Sequence, residues 1–191
     1  MQRDITTWCS LAPPNVVESS KFRPPPHLHP TEKATQPFFQ WCVDLILNLT
    51  PTGRDGTVHA IVVVNPMTKW VEIGALKDKV SSTIATWFHE NITCRYGPPA
   101  RVRSDQGTEF KGSFKIYLES ICCKQVLIHS AHPRANGLVE HYSKVIKEGL
   151  RTFIVADGAQ FAWTDFVGDI AAGLRMLPTR LGYSPFLLVF K

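Results

Sequence analysis

No stretch of this chain is apolar enough, for long enough, to span a bilayer. Its longest apolar runs, such as "AIVVV" and "FLLVF", fall far short of the roughly 20 residues a spanning helix needs. The opening "MQRDITTWCSLAPP" has no sustained apolar stretch behind a basic start, so no secretory signal is visible. Cysteine is scarce and unpaired in pattern. Cys9, Cys42, Cys94, Cys122 and Cys123 are odd in number and lack framework spacing, which excludes a disulfide scaffold and suits reduced thiols inside a cell. Internal repeats are absent too, as are low-complexity tracts beyond one proline-rich stretch. The expectation is a soluble, intracellular protein with no membrane partner.

What is present is enough for one domain with a sizeable core and a short appendage: 191 residues, 44% hydrophobic and 19% charged. Lys and Arg number 21 against 16 Asp and Glu, giving a net charge of +5. That balance suits a polyanionic partner without identifying one.

From Pro13 to Pro37 the chain is rich in proline and polar residues, including "RPPPHLHP", and has neither helical nor strand periodicity, as expected of an extended linker. "WCVDLIL" and "TVHAIVVVN" are β-branched and apolar around the turn-forming "TPTGRDG", which predicts two hairpin strands. The near-continuous apolar character of the second implies burial on both faces. "KWVEIGAL" follows as a third strand after "NPMT". Residues 81–96 space Ile84, Trp87, Phe88 and Ile92 as a helix does, with Ser81 or Ser82 available as its cap. A fourth strand is expected at "ARVRS", a helix over "FKGSFKIYLESIC", a fifth strand at "KQVLIHS", a long helix from about Asn136 to Ala156, and another helix over "WTDFVGDIAAGLRML". This order predicts an α/β fold: a five-stranded mixed sheet, part antiparallel hairpin and part parallel crossover, flanked by helices.

Three carboxylates stand out. Asp44 lies inside the first apolar strand, where an unpaired buried charge costs several kcal/mol, so it is either compensated by a cation or at an exposed sheet edge. Asp105 follows the fourth strand in "SDQGTEF", where α/β sheets present reactive groups; a simple Asx turn would also account for it, with Gly107 permitting a tight path. Glu140 lies near the start of the long helix. There Val139, Tyr142, Ile146, Leu150 and Phe153 form one apolar stripe, and Glu140, Lys144, Lys147 and Arg151 cluster on another face. A solvated Glu-to-Lys face is the bland alternative. Brought together, the three acids would make a set of hard oxygen ligands suited to Mg²⁺ or Mn²⁺. Two such ions about 3.5–4 Å apart serve phosphoryl transfer, with the nearby cations facing a nucleic-acid backbone.

At these residues the sequence resembles the catalytic core of retroviral and retrotransposon integrases of the Gypsy/Ty3 type, within the ribonuclease-H-like superfamily. "PFFQWCVDLI", "VVVNPMTKWVEIGAL", "CRYGPPARVRSDQGTEF", "HSAHPRANGLVEHYSKVIKEGLR" and "LGYSPFLLVF" occur in the family's order and spacing, from about Pro37 to the last residue. The resemblance implies a ribonuclease-H-like fold over 37–191 and a metal-binding catalytic triad at Asp44, Asp105 and Glu140. It implies Mg²⁺ or Mn²⁺ as cofactor, and DNA integration by 3′-end processing and strand transfer on element ends and target DNA. It also implies a homodimer or higher homo-oligomer, acting in the nucleus if the host is a eukaryote and the chain is active as an integrase.

By the same resemblance Lys144, Lys147, Ser143, His132 and Arg134 are the DNA-binding candidates, and 130–137 is a mobile loop hinged at Gly137. His141 and Ser143 depart from the Arg and Asn usual after the catalytic Glu, and Asn65 stands where relatives often have Asp. Residues 1–12 look like the remnant of an upstream zinc-binding domain lacking its cysteine pair, 13–36 is the proline-rich linker, and zinc is not expected because His27, His29 and Cys9 lack partners. The alternatives carried forward are a truncated, integration-incompetent DNA-binding remnant and a ribonuclease-H-like nuclease acting on another nucleic acid.

Overall fold

The structure, a computed structural model, describes residues 36–128, 133–156, 162–180 and 182–191. The expectations for 1–12 and for nearly all of the linker lie outside them.

Three antiparallel strands open the fold: β1 (Gln40–Ile46), β2 (His59–Val64) and β3 (Val71–Leu76). Two parallel strands, β4 (Arg101–Ser104) and β5 (Lys124–Leu127), join on the other side of β1, giving the order β3-β2-β1-β4-β5. Every residue of β2 is buried, as its unbroken apolar run predicts, because helices cover both faces of the sheet. Strand alternation divides the core in two. Trp41, Val43, Ile61 and Val63 point into one layer, which is closed by Ile84, Phe88, Ile92, Phe114 and Leu118. Cys42, Ile46, Val62 and Val64 point into the other, closed by Val139, Ile146, Leu150, Ile170 and Leu174. Each such side chain contributes about 1.5–3 kcal/mol by leaving water.

The first layer is roofed by α1 (Ser81–Phe88), which runs on through a π-helical turn (His89–Thr93) and a last turn (Cys94–Tyr96), and by α2 (Ser113–Ser120). Gly97, at φ 82, ends the first run. The capping expectation needs correction: Val80 precedes α1, and Ser81 lies inside it. Its hydroxyl reaches the Lys111 carbonyl and accepts from the Phe114 N–H at 2.9 Å, so it caps α2 instead. α2 is also shorter than expected. A separate 3₁₀ turn holds Thr108–Phe110, and Gly112, at φ 61, takes a left-handed conformation that breaks the run before Ser113.

The second layer is roofed by α3 (Pro133–Ala156) and α4 (Val167–Met176). The stripe of Val139, Tyr142, Ile146, Leu150 and Phe153 faces the sheet as periodicity predicts. α3 begins three residues before the expected Asn136, at a proline whose fixed φ suits a first helical turn, so the stretch from Pro133 to Gly137 is helical here. Trp163–Phe166 form a 3₁₀ turn ahead of α4, and α5 (Pro185–Phe190) is a helix that periodicity had not flagged, capped by the Ser184 hydroxyl accepting from the Leu187 N–H at 3.2 Å. Six residues are too few to show a helical repeat.

Two buried polar groups fix the β3 side. Asn65, fully buried, stitches the β2–β3 turn to β1. Its Oδ1 accepts from the Met67 N–H (3.2 Å), the Thr68 N–H (2.8 Å) and the Thr68 hydroxyl (2.9 Å), while its Nδ2 donates to the Gln40 carbonyl (2.9 Å). Glu72, also buried, accepts from Arg175 Nη2 at 2.7 Å, Arg95 Nη1 at 3.3 Å, Trp70 Nε1 at 3.0 Å and the Tyr96 hydroxyl. One carboxylate thus joins β3, the end of the α1 run and α4, with the Arg175 guanidinium 4.5 Å from the Trp70 ring centroid.

Candidate active site

Asp44 sits on β1, the middle strand, between β2 and β4. That placement removes the exposed-edge reading of this residue. Two-residue alternation puts it on the same face as Cys42 and Ile46, under α3. It is half-buried, and its Oδ2 accepts a 2.7 Å hydrogen bond from the Ser143 hydroxyl. Its carboxyl is held above the ordinary aspartate range, chiefly by burial. The hydrogen bonds from Ser143 and the Leu45 backbone pull the other way, and the charges of Asp105 and Glu140 add to the rise. The two acids singled out from the sequence therefore lie close enough for their charges to act on the third.

Asp105 is exposed, immediately beyond the C-terminal end of β4. Its Oδ1 accepts from the Gly107 N–H at 2.9 Å, so the Asx turn is formed. Gln125 steadies this corner from β5, its Nε2 donating to the Phe110 carbonyl at 2.7 Å and the Ser104 hydroxyl at 3.4 Å. Gly107 adopts φ −52 and ψ 145, a conformation open to any residue. The tight-path argument for this glycine does not hold. What a side chain there would meet is the Glu109 carboxyl, 2.6 Å from an added Cβ. Glu109 itself belongs to the 3₁₀ turn, not to the start of α2.

Glu140 is exposed on α3, one residue past the buried Val139, and Lys144, Lys147 and Arg151 are exposed on the same helix. Ser143 is turned inward, 9% exposed, with its hydroxyl spent on Asp44. His132 lies outside the described residues, as does the side chain of Arg134. Among the described residues, no three His, Cys, Asp or Glu side chains stand close enough to form a ready metal cluster. The acids are neighbours in charge, not yet a closed ligand cage.

Two further cations, Lys69 and Arg180, were given no role by the sequence. Lys69, from the β2–β3 turn, is half-buried, donates to the Pro66 carbonyl at 2.7 Å and has its pKa lowered, burial outweighing the charge of Cys42. His141 is held below the usual imidazole range by burial and then by the cations Arg180 and Lys144, which places Arg180 beside the positive face of α3. Helical periodicity shows Lys144, but nothing local in the sequence brings Arg180 to it.

No family model matches the chain. Among curated proteins it is 26% identical over 192 aligned positions to the Gag-Pol polyprotein of avian reticuloendotheliosis virus, covering 98% of this chain and 16% of that protein. It is 27% identical over 163 positions to the Pol polyprotein of transposon 412 of Drosophila melanogaster, covering 84% of this chain and 13% of that protein. The chain thus spans less than a fifth of the relatives it matches. Among solved structures it is similar to a chain of the simian T-cell lymphotropic virus intasome in complex with PP2A regulatory subunit B56 gamma. There the TM-score is 0.72 at 17% identity, over 88% of this chain and 61% of that one. It is also similar to the catalytic core domain of BIV integrase, with a TM-score of 0.61 at 16% identity over 79% and 93% of the two chains. The likeness to retroelement Pol sequences runs over most of the chain, and the fold is the ribonuclease-H-like mixed sheet of integrase catalytic cores.

Proposed function

We propose that the chain is the catalytic core of a retrotransposon integrase, performing metal-dependent polynucleotidyl transfer on DNA. The observation that carries this reading is Asp44, half-buried on the central strand and raised in pKa partly by the charges of Asp105 and Glu140. A carboxylate opposed by burial and by two like charges is relieved by a cation, and the donors are the hard oxygens that Mg²⁺ and Mn²⁺ prefer. Asp44, Asp105 and Glu140 would hold the ions. When bound, the ions supply activation of an attacking oxygen and stabilisation of a leaving one.

The chain's own residues do the rest. Ser143 orients the Asp44 carboxylate, and the Asx turn fixes the backbone beneath Asp105. Lys144 and Lys147 offer exposed cations to the phosphates of element ends and target DNA, with His132 and Arg134 assigned the same role. The reactions are 3′-end processing and strand transfer, carried out by a homo-oligomer, in the nucleus if the host is a eukaryote. No helix among the described residues is long and apolar enough to cross a membrane.

The test is a disintegration-type assay on a branched DNA substrate with Mg²⁺ or Mn²⁺, comparing wild type with Asp105→Asn. Metal-dependent joining lost in the variant supports the proposal; equal products from both proteins refute it. The exposed Lys144, Lys147 and Arg151 on α3 would serve a second reading as well, a DNA-binding remnant that does not turn over. Salt-sensitive DNA binding with no product at any metal concentration would select it.

A further inference from the structure

The π-helical turn at the end of α1 makes a constellation away from the three acids. Along an ordinary α-helix, residues five apart lie about 140° around the axis and cannot meet. Here the Cys94 N–H donates to the His89 carbonyl, five residues back, and the widened turn stacks the two side chains. Cys94 Sγ lies 3.5 Å from His89 Nε2. The other ring nitrogen, Nδ1, lies 3.2 Å from the Tyr117 hydroxyl of α2, whose own hydrogen goes to Thr93 Oγ1 at 2.7 Å. With Tyr117 donating to Thr93, it accepts from His89 Nδ1–H, the tautomer that leaves Nε2 bare and facing the thiol.

Nucleophile, base and orienting group stand in the order that activates a side chain for covalent chemistry. We propose that Cys94 is a nucleophilic thiol modified by low-molecular-weight disulfides, with His89 as its base and Tyr117 positioning the imidazole. The Cys94 S–H proton passes to His89 Nε2, and the sulfur attacks one sulfur of the small disulfide. A Cys94–S bond forms as the original S–S bond breaks. The departing thiolate takes the proton from the imidazolium and leaves as a thiol, so Cys94 is oxidised and the small molecule reduced by the same electron pair.

Among the four cysteines of the described residues the setting is selective. Cys94 is exposed, whereas Cys42 and Cys123 are buried, and burial raises both thiols, Cys123 to about 12. Cys122 is exposed as well, but its sulfur makes no hydrogen bond among the described residues, so it serves as an internal reference. None of this depends on the integrase reading, because neither metal nor DNA takes part.

The experiment treats the full, unmodified chain with oxidised glutathione at neutral pH and follows each cysteine by peptide-resolved mass spectrometry. Cys94 is expected to gain the mixed disulfide about 10-fold faster or more than Cys122. Tyr117→Phe and His89→Gln should each cut the Cys94 rate several-fold and leave the Cys122 rate unchanged. Reactivity at buried Cys42 reports unfolding. If His89→Gln shows it, the wild-type ratio and Tyr117→Phe decide. A wild-type ratio near one overturns the proposal, as does a Cys94 rate indifferent to the substitutions in folded protein.

Discussion

Asn65→Asp replaces a fully buried amide with a carboxylic acid of the same shape, and the structure predicts that this change is harmful. Oδ1 keeps its three donors, from Met67 and Thr68, in the variant. What is lost is the Nδ2 donation to the Gln40 carbonyl, which ties the turn to β1. In its place a carboxylate oxygen faces a carbonyl oxygen at a fully buried position. The lost hydrogen bond is worth about 1 kcal/mol and the stranded Gln40 acceptor about 1–3 more, for a total of about 2–4 kcal/mol. For a chain of this size each kcal/mol moves the midpoint by roughly 2–4 °C, so a fall of about 4–16 °C is expected.

The pH dependence has a definite sign. Full burial and the facing Gln40 carbonyl oppose ionisation of the introduced group, against the three donors on its other oxygen, so with burial dominant its folded pKa lies above its unfolded one. Its deficit is full at neutral pH and shrinks as pH falls through the folded value. Urea unfolding of wild type and variant at neutral and mildly acidic pH measures both quantities. A loss under about 0.5 kcal/mol at neutral pH, or a deficit that grows on acidification, would refute the reasoning, which rests on the stranded-acceptor cost.

Three further outcomes follow from the same contacts. Asp44→Asn removes a carboxylate whose ionisation burial and like charges oppose, so the metal-free chain should unfold at a higher temperature near neutral pH while the disintegration reaction is lost; calorimetry and the DNA assay read the two halves. Glu72→Ala leaves Arg175 and Arg95 without their shared carboxylate and should cost about 3–5 kcal/mol by chemical denaturation. Lys144→Ala and Lys147→Ala should each weaken duplex binding across all sequences and lower the salt-dependence slope by about 1, measured by fluorescence anisotropy in a salt series.

The sheet and its helices were largely legible because the signals were long and periodic. β2 reads as a fully buried strand from composition alone, and the α3 stripe from Val139 to Phe153 reads at helical spacing. Element ends were not legible. Ser81 is an ordinary N-cap candidate in sequence, and only the approach of α2 shows that its hydroxyl serves another helix. Of the candidate site, Asp44, Asp105 and Glu140 could be singled out by residue type and position. That Ser143 would bond Asp44, or that Arg180 would come near His141, depends on contacts across the fold that leave no local pattern. The Glu72 cluster was hidden for the same reason: its partners come from β3, the α1 run and α4.

The docking of α3 through one apolar stripe divides the proposed catalytic apparatus into a permanent and a detachable part. Asp44 lies on β1 and Asp105 just past the end of β4, both carried by the sheet, and they persist as long as the domain is folded. Glu140 and Ser143 ride on a helix held to that sheet by Val139, Ile146 and Leu150. A sub-global opening that lifts α3 would therefore remove one acid and the hydroxyl that restrains Asp44 while leaving the strands paired. Competence for chemistry becomes an equilibrium of its own, weaker than the stability of the fold. Substitutions along the buried stripe would then tune how often the site is whole without touching any of the residues that compose it.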